Sequence, residues 1–153
     1  MARVRGRLAA FLLASLAGGP ALAQDLSAGA AGAHDRFRWP LRGPIVQVFK
    51  SGETDGIDIA APVGEAVHAA ADGVCSYAGD ELKTYGKLVL IRHADGYVTV
   101  YADNSELDVK EGDAVRRGQI IAKSGVSGNA PHLHFELRKD GKPVDPIGYL
   151  VPL

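Results

Sequence analysis

From Trp39 onward, apolar and polar residues alternate in short runs broken by Gly, Pro and Asp. Ile45–Phe49 and Gly56–Ala60 alternate with a period of two, the signature of a strand with one buried face. Ala66–Ala70 and Val74–Ala78 follow, separated by Ala71-Asp72-Gly73. Leu88–His93 and Tyr97–Ala102 are β-rich runs flanking Ala94-Asp95-Gly96, a hairpin signal because Asp-Gly accepts positive φ. Ile120–Lys123 and His132–Arg138 come next, and Lys139-Asp140-Gly141 begins another tight turn. No window of helix length keeps an apolar period of 3.6 residues. The pattern predicts an all-β chain folded as a compact antiparallel domain.

The length of 153 residues suits one such domain, and 19 Gly with 8 Pro fit a chain rich in turns. A formal net charge of −1 argues against a generally basic nucleic-acid binder, so no nucleic-acid partner is expected. The one cysteine, Cys75, can close no internal disulfide and reads as a small buried hydrophobe. Arg3, Arg5 and Arg7 precede the apolar run Leu8–Ala17, and Ala21-Leu22-Ala23 offers small residues for a signal peptidase. Residues 1–23 therefore read as a signal peptide cut after Ala23. The run is too short to span a bilayer, which takes about 20 apolar residues. No cysteine follows the cut, so no lipid or membrane anchor is expected after cleavage, and the location expected is periplasmic or secreted. Residues 24–38 read as a flexible leader, and 39–153 as the domain.

The strongest chemical signal is His132-Leu133-His134-Phe135-Glu136-Leu137. On a strand, His132 and His134 share one face, while Leu133, Phe135 and Leu137 turn to the core. The second signal is Thr54-Asp55-Gly56-Ile57-Asp58-Ile59, which places Asp58 on a short strand. In an extended chain Thr54 would share the Asp58 face and Asp55 would take the opposite one. His68 is expected to face solvent, His93 to sit at a strand edge, and His34 falls in the leader.

These segments occur in a characteristic order. Trp39-Pro40, Gly56-Ile57-Asp58-Ile59-Ala60-Ala61-Pro62, Ala71-Asp72-Gly73-Val74, Val98-Thr99-Val100-Tyr101-Ala102, Val109-Lys110-Glu111-Gly112-Asp113, His132-Leu133-His134-Phe135-Glu136 and Pro143-Val144-Asp145-Pro146 succeed one another. This series resembles the LytM/lysostaphin-type zinc peptidase domain (peptidase M23) over nearly all of Trp39–Leu150. The resemblance implies a two-layer antiparallel β architecture with a groove. It also implies cleavage of peptidoglycan peptide bonds by active members. The segment around Glu111-Gly112-Asp113 also looks like the turn of biotinyl or lipoyl carrier domains. No lysine stands here in the tripeptide setting those carriers modify.

In active members of the family, zinc is held by the His and Asp of H-x-x-x-D and by the second His of H-x-H. Asp58 and His134 match two of those positions, but the third is Thr54. Two further histidines flank the reacting carbonyl in the family. His132 matches one, whereas the expected Tyr-Ala-His reads Tyr101-Ala102-Asp103. A catalytic zinc takes three ligands from His, Asp, Glu or Cys, and a neutral threonine hydroxyl is a poor donor. An ionised Asp103 only accepts hydrogen bonds and would repel an oxyanion, where losing one donor costs ~10²–10³ in turnover.

No intact metal or catalytic set is therefore expected, and no cofactor. The resemblance narrows to members with degenerate sites, the EnvC/NlpD-like murein hydrolase activators. It implies a groove lined by Thr54, Asp58, Tyr101, Asp103, His132 and His134 that binds a cell-wall amidase, peptidoglycan or both. The alternatives are a zinc endopeptidase with an altered ligand set, and a wall-binding scaffold without an enzyme partner.

Overall fold

The computed structural model describes residues 36–152. The expected signal peptide and the leader as far as residue 35 lie outside the described residues. The last part of the expected leader belongs to the domain instead. Phe37 is buried in the main core and bridges Leu150, and the Arg38 amide donates to the Ala70 carbonyl at 2.9 Å.

The strands run β1 (Ile45–Gln47), β2 (Ile57–Ala60), β3 (Ala66–His68), β4 (Gly73–Gly79), β5 (Lys87–Arg92), β6 (Tyr97–Leu107), β7 (Ala114–Val115), β8 (Ile120–Ser127), β9 (Ala130–Lys139) and β10 (Lys142–Val144). The hydrogen-bonded order is β1-β2-β9-β8-β6-β5-β4-β7, with β3 on β8, β10 on β9 and a further β6–β9 pairing. Every pairing between these strands is antiparallel. The expected all-β antiparallel class is thus observed, and no α-helix occurs among the described residues. No helix among them is long and apolar enough to cross a membrane.

Both expected turns form where the sequence places them. Asp95 and Gly96 take φ of 60° and 77°, and Asp140 and Gly141 take 49° and 84°. The sequence pattern missed β7 and β10, which are only two and three residues long. It also stopped β6 and β8 short, because polar residues such as Asn104 and Ser127 continue both ladders.

The long strands β6 and β9 lie side by side and carry two unlike faces. One face builds the main core, in which Ile57, Ile59, Tyr101, Leu133, Phe135 and Leu137 pack together. The other carries a second apolar cluster of Tyr85, Leu88, Leu90, Val98, Val100 and Ala102. Gly56 admits the start of β2 over β9, since a Cβ there would lie 2.2 Å from the Phe135 carbonyl oxygen. Any side chain at position 56 would push β2 off β9.

Cys75 is buried as expected, and burial pushes its thiol up to about 11. His93 departs from expectation. It is buried and joins a polar chain through the main core rather than sitting at an exposed edge. The Ala70 amide donates to the Tyr101 hydroxyl at 2.9 Å, and the Tyr101 and Thr99 hydroxyls lie 2.8 Å apart. Thr99 Oγ1 is 2.7 Å from His93 Nε2, and His93 Nδ1 is 2.7 Å from the Asp72 carbonyl. That carbonyl requires a proton on Nδ1, leaving Nε2 bare. One proton order, Tyr101 to Thr99 to Nε2, then satisfies every atom.

Burial is the main cause that lowers His93 from 6.5 to about 4, so it folds neutral. In the unfolded chain it titrates near its ordinary value. Its stability contribution is full above 6.5 and is lost as pH falls towards about 4. That loss is on the order of 3 kcal/mol. Thermal melts of wild type and His93→Gln at pH 6.5 and 4.5 check this. The wild type should lose more stability across that interval than the variant.

Candidate functional site

Strand alternation on β9 turns Leu133, Phe135 and Leu137 into the core and brings His132, His134, Glu136 and Arg138 to the other face. All four polar side chains are nonetheless buried. Register supplies their neighbours. Asp58 of β2 faces His134, and Ala60 faces His132. On the opposite flank Ala102, Val100 and Val98 of β6 face His134, Glu136 and Arg138. Asp103 reaches the group through a bulge in β6. Between Tyr101 and Asn104 the pairing with β5 slips, and Asp103 takes a left-handed φ of 62°. Its Oδ2 then lies 3.1 Å from His132 Nε2.

The cluster is a chain of alternating charges. His134 Nδ1 lies 2.6 Å from Asp58 Oδ1, and its Nε2 lies 3.0 Å from Glu136 Oε1. The second oxygen of Glu136 accepts from Arg138, at 2.8 Å from Nε and 2.7 Å from Nη2. Arg138 Nη2 also reaches Asp55 Oδ2 at 3.5 Å. His132 Nδ1 donates to the Ala130 carbonyl at 2.9 Å, and its Nε2 lies 3.8 Å from Asp58 Oδ2.

Burial, the largest influence on His134, opposes its charge, but Asp58 and Glu136 outweigh it and raise the ring to about 9. His132 is also raised, foremost by its hydrogen bond to Asp103. Burial pulls Glu136 upward, and the His134 and Arg138 cations overcome it to hold the carboxyl below its ordinary value. His134 is therefore a protonated donor near neutral pH, with a carboxylate on each ring nitrogen.

Four sequence expectations need correction. Thr54 does not share a strand face with Asp58, because β2 begins only at Ile57. Thr54 closes a turn instead, its hydroxyl accepting from the Lys50 amide at 2.7 Å and donating to the Val48 carbonyl at 3.1 Å. Asp55 does not point away, since the bend at Asp55-Gly56 breaks the alternation and carries it to Arg138. Tyr101 does not line the groove. It is fully buried in the main core against Phe135, with ring centroids 5.5 Å apart. His68 is half-buried rather than solvent-facing, its Nδ1 3.0 Å from the Gly118 carbonyl. The structure brings together Asp58, Asp103, His132 and His134. It adds Glu136, Arg138 and Asp55, the first two of which the period of two along β9 already places on the histidine face.

The donors do not fit a catalytic zinc. Asp58 and His134 hold the two matching positions, but their donor atoms are closed on each other. Two ligands of one tetrahedral zinc would stand ~3.4 Å apart. The Thr54 hydroxyl is committed to backbone, and His134 has a carboxylate on both nitrogens. Among the described residues no group of three or more His, Cys, Asp and Glu could hold a metal ion.

Fold and site together define a LytM-type β domain whose β9 carries the histidine pair and whose positions 54 and 103 hold Thr and Asp. The chain belongs to peptidase family M23, whose family model matches residues 52–146. It is 44% identical over 117 residues to the murein hydrolase activator NlpD of Escherichia coli, a match covering 74% of this chain and 31% of that protein. It is 46% identical over 123 residues to the cell division protein DipM of Caulobacter vibrioides, covering 72% of this chain and 20% of that one. Among solved structures it is similar to Helicobacter pylori Csd3, with TM-score 0.71 and 32% identity over 78% of this chain and 36% of that chain. The chain spans less than a third of the length of these two curated relatives.

Removing the cation that balances Glu136 leaves a buried carboxylate uncompensated. Arg138→Met should cost about 3–5 kcal/mol of stability, and adding Glu136→Gln should recover much of it. Urea unfolding midpoints of the two variants and the wild type measure both effects.

Proposed function

We propose that this protein is a non-catalytic activator of a peptidoglycan amidase, acting in the periplasm or outside the cell during wall remodelling or cell separation. The observation that carries the proposal is the closure of the charged cluster. His134 spends both nitrogens on Asp58 and Glu136, and His132 spends its own on Ala130 and Asp103. A hydrolase needs an open metal position or a base with a free lone pair. A binding surface needs neither.

The rim of the cluster supports docking. A hollow of about 300 Å³ lined by Ala60, Ala61, Pro62 and Pro131 adjoins His132 and its cross-strand neighbour Ala60. Val63 and Val126 are exposed at 56% and 50% on the neighbouring loop and hairpin. Protein-recognition sites carry an apolar core within a polar surround, and this hollow with Val63 and Val126 would supply the apolar part. The names of the relatives, a murein hydrolase activator and a cell division protein, point the same way. The N-terminal signal expected from sequence would deliver the chain to the wall.

Release of dye from labelled sacculi tests the proposal. The protein alone should release none, whereas with a purified amidase it should raise release above that of the amidase alone. Val126→Asp places a charge on the exposed rim and should cut the stimulation about tenfold without unfolding the domain. Metal analysis of the purified protein should find far less than one zinc per chain, and Thr54→His with Asp103→His should raise it. Release by the protein alone with stoichiometric zinc would establish the endopeptidase reading. Pelleting with sacculi without any effect on amidase would establish the scaffold reading.

A further inference from the structure

Away from the charged cluster, the first and last described segments pair. Phe37 bridges Leu150, and the Val151 amide donates to the Phe37 carbonyl at 2.8 Å. Beside this pairing lies a cleft of about 270 Å³ lined by Arg38, Trp39, Arg42, Arg117, Val151 and Pro152. It shares no residue with the Asp58–His134 cluster. Half of its lining residues are arginines and none is acidic.

Elsewhere on the domain arginines do meet carboxylates, as Arg36 meets Asp95 and Arg138 meets Glu136. Among the described residues, no carboxylate pairs with the guanidinium groups of Arg38, Arg42 or Arg117. Asp72 lies near, but its Oδ1 accepts from the Arg117 backbone amide at 2.7 Å. Three guanidinium groups around one hollow, none in an ion pair with a described carboxylate, stand out on a chain whose net charge is −1.

The walls are held in place. Trp39 Nε1 donates to the Val151 carbonyl at 2.9 Å, and Arg117 Nη1 donates to the Arg36 carbonyl at 3.3 Å. Arg38 lies against the turn at Gly118, where a Cβ would stand 2.5 Å from its Nη1 and where φ is +85°. Glycine at that turn gives the guanidinium its place.

We propose that this cleft binds a phosphate group. A guanidinium presents a planar fork of donors that matches the oxygens of an oxyanion. A phosphomonoester carries about 1.5–2 negative charges near neutral pH, a better match than a single carboxylate to several unpaired arginines. The group could arrive on a soluble molecule or on a lipid headgroup, and the chemistry of the cleft is the same for both.

Trp39 is the protein's one tryptophan, so its emission reports on the cleft directly. Titration with inorganic phosphate at constant ionic strength should give a saturable change in that emission. Arg42→Gln and Arg117→Gln alter exposed side chains and should leave the fold intact by circular dichroism. Each should weaken phosphate binding about tenfold. Glutarate at matched ionic strength should bind at least about tenfold more weakly than phosphate. Pelleting with vesicles containing phosphatidic acid, whose headgroup is a phosphomonoester, but not with phosphatidylcholine vesicles, would assign the group to a headgroup. Phosphate saturation without pelleting would assign it to a soluble molecule. The proposal is overturned by a linear or absent response, by equal binding of glutarate, or by unchanged binding in both variants.

Discussion

One interaction organises the polar face of this protein: a protonated imidazole clamped between two buried carboxylates. Asp58 and Glu136 sit on opposite sides of the His134 ring, one on β2 and one on β9 itself. Each carboxylate would be costly in this setting without a cation. The histidine neutralises both partly, and Arg138 completes the balance at Glu136. The arrangement ties β2 to β9 through side chains as well as through the ladder. It also consumes the lone pairs that metal binding or general base catalysis would use.

The apolar surroundings make this closure durable. Val98, Val100 and Ala102 flank the charged row from β6 and belong to the second apolar cluster. Water has little access to the inner end of the row, so each proton on it is strongly held. The histidines of the fold consequently divide into opposite kinds. His93 is deeply buried with neutral hydrogen-bond partners and stays deprotonated, while His134 lies among carboxylates and stays charged. A histidine whose folded value is raised adds stability that is full below 6.5 and fades as pH rises through about 9. His93 does the reverse on the acid side. The two residues bias the fold towards neutral pH from opposite directions, for one reason: local charge composition, not burial alone.

Much of this was legible in the residue pattern. The alternation in His132–Arg138 places a polar row against a core row, and the strand obeys it. Glu136 and Arg138 follow from the same alternation, but nothing in the sequence says that an outward row will be buried. That depends on β2 and β6 covering it. Alternation misleads where it runs past the end of a strand. Because β2 begins only at Ile57, a turn and a bend, not strand parity, set the positions of Thr54 and Asp55. The motif around Tyr101 suggests a groove position, whereas its parity on β6 puts it with Thr99 on the core side. Asp103 escapes that parity only because a bulge interrupts it, and a bulge has no clear signature in Tyr101-Ala102-Asp103.

Loss of a ligand does not by itself make a binding protein, since a broken site could simply drift. Here the replaced positions have acquired partners. Asp103 stands where the family resemblance expects a histidine, and it meets His132 at hydrogen-bond distance instead of repelling a neighbour. Thr54 stands where a ligand is expected and closes its own turn. At both positions the residue present fastens the scaffold where the family resemblance expects a histidine. A face so fixed loses little conformational entropy when another surface is laid on it, which is what favours rigid recognition sites. In the proposed docking role the apolar hollow at Pro131 and Ala60 would contribute its buried area to affinity, while the charged row beside it holds the surrounding backbone in register.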